Sequence, residues 1–216
     1  MIIDILTVFP KMFEGPLTES ILKRAQASGI ITINVHDLRQ WTTDSHHTTD
    51  DRPYGGGPGM VMLVEPIDKA LQEIKSKIQM TNIKTILTAA SGKNFTQAKA
   101  QEYSKLDHLI IIAGHYEGVD QRVEDHLVDE SISIGDYVLT GGELPAMVIV
   151  DALTRLLPGA LGDAESIVDE SHRQPGYKEY PHYTRPENYR DWPVPKVLLS
   201  GNHAAIKAWR KDSQKS

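Results

Sequence analysis

The chain has 216 residues, a formal net charge of −6 and no cysteine. That length suits one large domain, or one domain with a small appendage, and it buries roughly 70% of the unfolded surface without a disulfide or metal staple. The absence of cysteine excludes thiol catalysis, cysteine-ligated zinc and iron–sulfur clusters, and fits a reducing compartment.

The charge is unevenly spread. Residues 1–170 hold 14 Lys+Arg against 25 Asp+Glu, whereas residues 171–216 hold 9 against 4. An acidic body with a basic tail region hints at an anionic partner. The N-terminus, MIIDILTVFP, carries Asp4 and no basic segment, so it does not read as a signal peptide. No apolar run reaches the roughly 18 residues needed to cross a bilayer. A soluble cytoplasmic protein with no membrane partner is expected.

Residues 2–9 read as a buried strand stopped by Pro10, residues 17–27 as a helix ended by Gly29, and residues 31–36 as a second strand. The chain thus opens β-α-β, which points to an α/β fold. Residues 42–59 form a polar stretch read as a long loop without secondary structure, the kind that tends to be functional. Its Gly55-Gly56-Gly57-Pro58-Gly59 lacks the Lys-Ser/Thr of a phosphate-binding P-loop. Its His46-His47 pair does not readily face one ion, so no metal site is assigned. Arg52 and Gly59 are the loop's candidates for nucleic-acid contact, though Arg52 taken alone is better read as meeting an acid within the chain.

A helix is expected over 67–77, a third strand over 85–89, a helix over 96–106 and a fully covered strand over 109–113. The stretch 132–147, ISIGDYVLTGGELPAM, reads as a strand end, a ligand-approaching loop and a helix start running to about 157, where Pro158-Gly159 stops it. Three strands therefore end in small or glycine-rich segments, 88–92, 114–118 and 135–142. Parallel strands would gather all three on one sheet edge, where α/β folds bind ligands. None fits the G-x-G-x-x-G dinucleotide pattern. Residues 163–180 read as a linker. Residues 181–216 read as a small basic unit with little core of its own, with an apolar run over 194–199 and a short helix ending near Trp209-Arg210.

Six motifs in order, DDRPYGGGPGM (50–60), GHYEGVDQRV (114–123), SIGDYVLTGGELPAM (133–147), RLLPGALG (155–162), YPHYTRPE (180–187) and VPKVLLSGNHAAIKAWR (194–210), resemble the bacterial tRNA (guanine-N1-)-methyltransferases of the TrmD type. The resemblance covers almost the whole chain. It implies the SPOUT class: an α/β parallel sheet with a deep trefoil knot, a feature nearly absent from other proteins, plus a small, mainly helical C-terminal domain. It divides the chain into a knotted S-adenosylmethionine-binding domain (1–162), a linker (163–180) and a tRNA-binding domain (181–216). It further implies a homodimer with shared active sites, methyl transfer to N1 of the guanine just 3′ of the anticodon, and Mg²⁺ in the reaction.

Carried over by position, the resemblance puts Leu87, Thr88 and Ala89, then Gly114, Tyr116, Glu117 and Gly118, then Ile134, Gly135, Asp136, Tyr137, Val138, Leu139 and Gly141 around the methyl donor, with Glu117 near its methionine end. Guanine N1 is a poor nucleophile until its proton leaves, so a carboxylate base and a cation at O6 are needed. The cation matches Arg155. The base falls on Glu170 by ungapped alignment, or on Asp169 if the linker shifts by one residue. His115 stands where many family members carry arginine. The chain also ends sooner after Trp209-Arg210 than in most members, leaving Arg185, Lys196, His203 and Arg210 as the expected phosphate contacts. The alternative is a non-catalytic RNA-binding protein that keeps a methyl-donor pocket. A hydrolase built on the 55–59 loop lacks the residues for it.

Overall fold

The computed structural model describes residues 1–162, 169–174 and 176–214. The chain divides into two compact units at the Gly162–Asp163 junction.

The first unit runs β1 (Ile2–Thr7), α1 (Ser20–Ala27), β2 (Thr32–Asp37), β3 (Asp50–Asp51), β4 (Val61–Met62), α2 (Val64–Ser76), β5 (Ile83–Asn94), α3 (Gln97–Tyr103), β6 (His108–Ala113), α4 (Gln121–His126), β7 (Glu130–Ser133) and α5 (Glu143–Thr154). Five strands form one parallel sheet in the order β2-β1-β6-β5-β7. Strand alternation sends Ile3, Ile5, Leu109 and Ile111 to one face, where Leu22, Tyr103, Ile149 and Leu153 of α1, α3 and α5 meet them. Leu6, Ile110 and Ile112 go to the other face, against Ile67, Ala70 and Leu71 of α2 and Val123 of α4. The central strand β6 is buried at all six positions, as expected for a parallel strand covered on both sides.

Three sequence expectations need correction. The 42–59 stretch is not wholly irregular, because Asp50–Asp51 pair antiparallel with Val61–Met62. The third strand does not stop at 89. β5 continues to Asn94, with a register shift between Thr88 and Lys93 along β7. Gly92 permits that return, since a Cβ there would lie 2.5 Å from the Ile132 amide nitrogen. Helix α4, which begins at the end of the GHYEGVDQRV stretch, was not anticipated. Asp120 caps it, its side chain accepting from the Arg122 amide at 3.0 Å, but six residues are too few for a periodic apolar signal.

In the second unit, β8 (Asn188–Tyr189) and β9 (Trp192–Pro193) pair antiparallel through Arg190 and Asp191, both in the left-handed region. Two helices follow, α6 (Lys196–Leu199) and α7 (His203–Asp212), the latter capped by the Asn202 side chain at the Ala205 amide, 3.1 Å. Among its described residues only Val194 is buried, in keeping with a unit that has little core of its own. Residues 163–168 and 175 of the expected linker lie outside the described residues, as do 215–216. Among the described residues, no helix is long and apolar enough to cross a membrane.

On the face of the sheet that α2 covers, Asp4 of β1 is buried and bonded to Asn34 Nδ2 (2.9 Å), His36 Nε2 (2.6 Å) and His108 Nε2 (2.5 Å). Burial alone would raise its pKa, but the bonds from His36, Asn34 and His108 outweigh burial and hold it below the usual carboxylate value of 3.8. A depressed folded-state pKa adds stability that is fully present above the unfolded value and lost as pH falls through the folded one. Asp4→Asn should therefore cost about 1–3 kcal/mol at neutral pH. In acid unfolding followed by circular dichroism, it should also flatten the loss of stability that wild type shows below pH 3.8.

Candidate functional site

Parallel pairing puts the C-terminal ends of β6 and β7 beside Thr88 in the middle of β5, and a cavity of about 380 Å³ opens there. Three chain segments make its wall. The first is the middle of β5, Leu87 to Ser91, where its register shifts. The second is the turn after β6, Gly114 to Val119. The third is the stretch after β7, Ile132 to Ile134 and Tyr137 to Leu139, followed by Gly141, Gly142 and Pro145 at the start of α5.

The segments are tied together by backbone contacts that only small residues allow. The Gly142 amide donates to the Gly114 carbonyl at 2.5 Å, and Thr88 Oγ1 lies within hydrogen-bonding reach of the Ile112 (3.2 Å) and Gly142 (3.3 Å) carbonyls. A Cβ at Gly142 would sit 2.0 Å from Thr88 Oγ1 and 2.7 Å from the Gly114 nitrogen. The second segment is held from the other side by β4. Glu117 N–H donates to Met60 O (3.0 Å), Met62 N–H to Gly118 O (3.0 Å) and Asp120 N–H to Met62 O (2.9 Å). Tyr116 occupies the left-handed region with φ of 60°, a conformation that costs a non-glycine residue of order 1 kcal/mol or more. Burial pushes its phenol pKa up, and the nearby Asp50 carboxylate adds to that.

Of the fourteen residues expected around a methyl donor, all except Gly135 and Asp136 line this cavity. Those two form the turn leading to it, where Tyr137 folds over Gly135 so closely that a Cβ would lie 2.4 Å from its ring. Gln121 and Glu124 also line the cavity. They were missed because they sit on α4, and the cap at Asp120 was the available signal. Gly59, expected at an RNA surface, is exposed and lies against Glu117, whose side chain would be 2.4 Å from a Cβ there. Arg52 is exposed, its amide bonded to Asp51 Oδ1 at 2.7 Å.

Arg155 is the C-cap of α5 and is partly buried. In the second unit, Asp169 Oδ1 accepts from the Tyr177 hydroxyl at 2.9 Å and pairs with Arg173 at 3.4 Å, while Glu170 is half-buried. Arg185, Lys196, His203 and Arg210 are all exposed. The Arg210 guanidinium lies 4.8 Å from the Tyr180 ring centre, and Tyr183 packs near Trp209 at 6.2 Å. Basic groups interleaved with aromatic rings suit a nucleic-acid surface.

A larger cavity, about 620 Å³, opens between the sheet and the end of α2, beside Asp4, His36, Trp41 and His108. Both oxygens of Asp4 are already bonded within the protein, and Trp41 Nε1 is spent on Glu73 at 2.7 Å. The strand-end cavity, walled by glycine backbone, is the better candidate. Gly142→Ala should destabilise the fold by roughly 2–4 kcal/mol and abolish ligand binding at this cavity, read by thermal melting and calorimetry together.

The family model for tRNA (Guanine-1)-methyltransferase TrmD matches residues 1–216. A tRNA (guanine-N(1)-)-methyltransferase of Carboxydothermus hydrogenoformans is 58% identical over 211 residues, covering 98% of this chain and 81% of that protein. The protein of the same name from Chloroflexus aurantiacus is 55% identical over 208 residues (96% and 81%), and that of a Geobacter species 54% over 211 residues (98% and 84%). With the model matched end to end and relatives at this identity and coverage, the chain belongs to the tRNA (Guanine-1)-methyltransferase TrmD family.

Proposed function

We propose that this chain is an enzyme that transfers a methyl group from S-adenosylmethionine to N1 of the guanine immediately 3′ of the anticodon in tRNA. The observation that carries the reading is the cavity at the three strand ends, together with the family membership. Its apolar side chains, Leu87, Ile134 and Val138 among them, suit the faces of an adenine ring, and its glycine-lined backbone suits the ring edge. S-adenosylmethionine bound there supplies an electrophilic methyl group on sulfur. Gly114, Gly141 and Gly142 keep the wall thin and the donor close-fitting, while Glu117, braced by Gly59, lies toward the amino-acid end.

In this reading Arg155 stabilises the charge that develops on guanine O6 as N1 loses its proton, and Asp169 or Glu170 takes that proton. The deep knot of the SPOUT class belongs to the proposal as well. It is supported by the pairing of β7 with both halves of the shifted β5 and by the close return of the chain at Gly142 past Thr88 and Gly114. The homodimer is supported by apolar side chains left exposed on and before α5, Tyr137, Val138, Leu144 and Val148; monomers seldom leave such a run uncovered. The tRNA contacts fall to the basic, aromatic second unit, with the linker between the two domains supplying the base. The reaction includes Mg²⁺, and its substrate sets it in the cytoplasm.

One observation favours the alternative of an RNA-binding protein without turnover: the Asp169 carboxylate is engaged by Tyr177 and Arg173. Methyl transfer to cognate tRNA decides between the two, since donor binding without product would leave only the alternative. Arg155→Ala should lower kcat by about 10²–10⁴-fold, and of Asp169→Ala and Glu170→Ala one should fall as far while the other stays near wild type. If both retain wild-type rates, neither is the base. Val148→Arg should give a monomer by light scattering with activity lost. Arg210→Ala should weaken tRNA binding and flatten its dependence on salt by about one counterion.

A further inference from the structure

The proposed chemistry leaves unused a buried polar chain that ends in the cavity wall. The Phe9 amide donates to Thr7 Oγ1 at 2.9 Å, the Thr7 hydroxyl donates to Glu143 Oε1 at 2.9 Å, and Glu143 Oε2 lies 3.1 Å from His115 Nδ1. Thr7 and Glu143 have no exposed surface. Thr7 has one hydrogen to give, and the carboxylate receives it, so Oε1 is an acceptor and Oε2 is left for the imidazole. Gly141 makes the pair possible, since a Cβ there would stand 2.2 Å from His115 Nδ1 and 2.4 Å from Glu143 Oε2. The imidazole is flanked by the rings of Phe9 at 4.6 Å and Tyr116 at 5.1 Å, and its backbone amide meets Met62 Sδ at 3.1 Å. The ring is therefore held from three sides, and its backbone from a fourth. His115 lines the cavity, and among the described residues its Nε2 has no hydrogen-bond partner.

A carboxylate without exposed surface is tolerated where its charge is matched and its lone pairs are filled. A histidine whose Nδ1–H is committed to such a carboxylate presents Nε2 in a set direction. We propose that Thr7 and Glu143 position His115 as the cavity's contact for an oxyanion of the bound ligand, with Nδ1–H held by Glu143 and Nε2–H offered to that oxyanion, so that affinity falls as the imidazolium loses its proton. The oxyanion is either the carboxylate of the methyl donor or a phosphate of the tRNA. The proposal rests on reading this cavity as the donor site.

The charged groups around His115 are few. Glu143 on α5 touches it. On its own turn stand the Tyr116 hydroxyl and Glu117, the latter turned against Gly59. Asp50 of β3 lies near the Tyr116 hydroxyl, Glu124 of α4 lines the same cavity, and the Arg39 guanidinium lies 5.9 Å from the Phe9 ring.

The test measures binding by calorimetry from about pH 5.5 to about pH 8.5, the span over which histidine is the usual titrating side chain. The probes are S-adenosylhomocysteine, 5′-methylthioadenosine (which lacks the carboxylate) and a cognate tRNA transcript, against wild type, His115→Arg, His115→Phe and Glu143→Gln. If the donor carboxylate is the partner, wild type loses about tenfold in affinity for S-adenosylhomocysteine as pH rises. Methylthioadenosine shows no such loss, and His115→Arg, which keeps its charge, binds evenly throughout. If a phosphate is the partner, the same contrast appears with tRNA alone. Glu143→Gln should move the loss to lower pH, a shift that a merely structural role would not produce. Coincident pH profiles for wild type and His115→Phe with all three probes would overturn the proposal while leaving the donor site intact. Failure of wild type to bind S-adenosylhomocysteine at any pH would overturn the reading of the cavity, and the proposal with it.

Discussion

The contact between the Gly142 amide and the Gly114 carbonyl, 2.5 Å long, is the constraint on which the site depends. It brings the start of α5 against the end of β6, and Thr88 in the middle of β5 lies beside both. Two β-carbons have to be absent for this to happen, at Gly141 and Gly142, because each would overlap a neighbouring side chain. A sheet edge that would otherwise be an open rim becomes a walled cavity. The same approach presses Glu143 into the core, next to Thr7 at the end of β1. Cavity wall and buried carboxylate are two results of one backbone crossing.

The fold was legible where burial enforces pattern. Residues 109–113, LIIIA, read as a strand covered on both faces, and β6 is such a strand at the centre of the sheet. The helical spacing of Ile67, Ala70, Leu71 and Ile74 fixes α2 against the opposite face from α5. What stayed hidden was set by contacts distant in sequence. The continuation of β5 to Asn94 depends on Gly92 meeting Ile132, and no local propensity reports that. The β3–β4 pairing is two residues long on each side, below the length at which alternation can be seen.

The site was legible to a different degree in its parts. Glycine-rich ends on three parallel strands pointed to a common edge, and the structure gathers those segments around one cavity. The contact of Gly59 with Glu117 was not legible, because it follows from β4 clasping the 115–120 turn. Nor was the Thr7–Glu143–His115 chain, whose members are separated by 136 and 28 positions. A glutamate after two glycines reads as the acidic first turn of a helix; only the packing reveals that it is sealed from water.

The crossing at Gly142 also bears on when the protein becomes competent. The cavity has no wall on its third side until residues 132–145 have left the ribosome and closed on strands made much earlier. Non-local closure of this kind is slow, since the loop entropy must be overcome before any contact rewards it. A chain synthesised only as far as β6 holds most of the sheet and none of the enclosure. Enclosure of this cavity is therefore a mark of completed folding of the first unit.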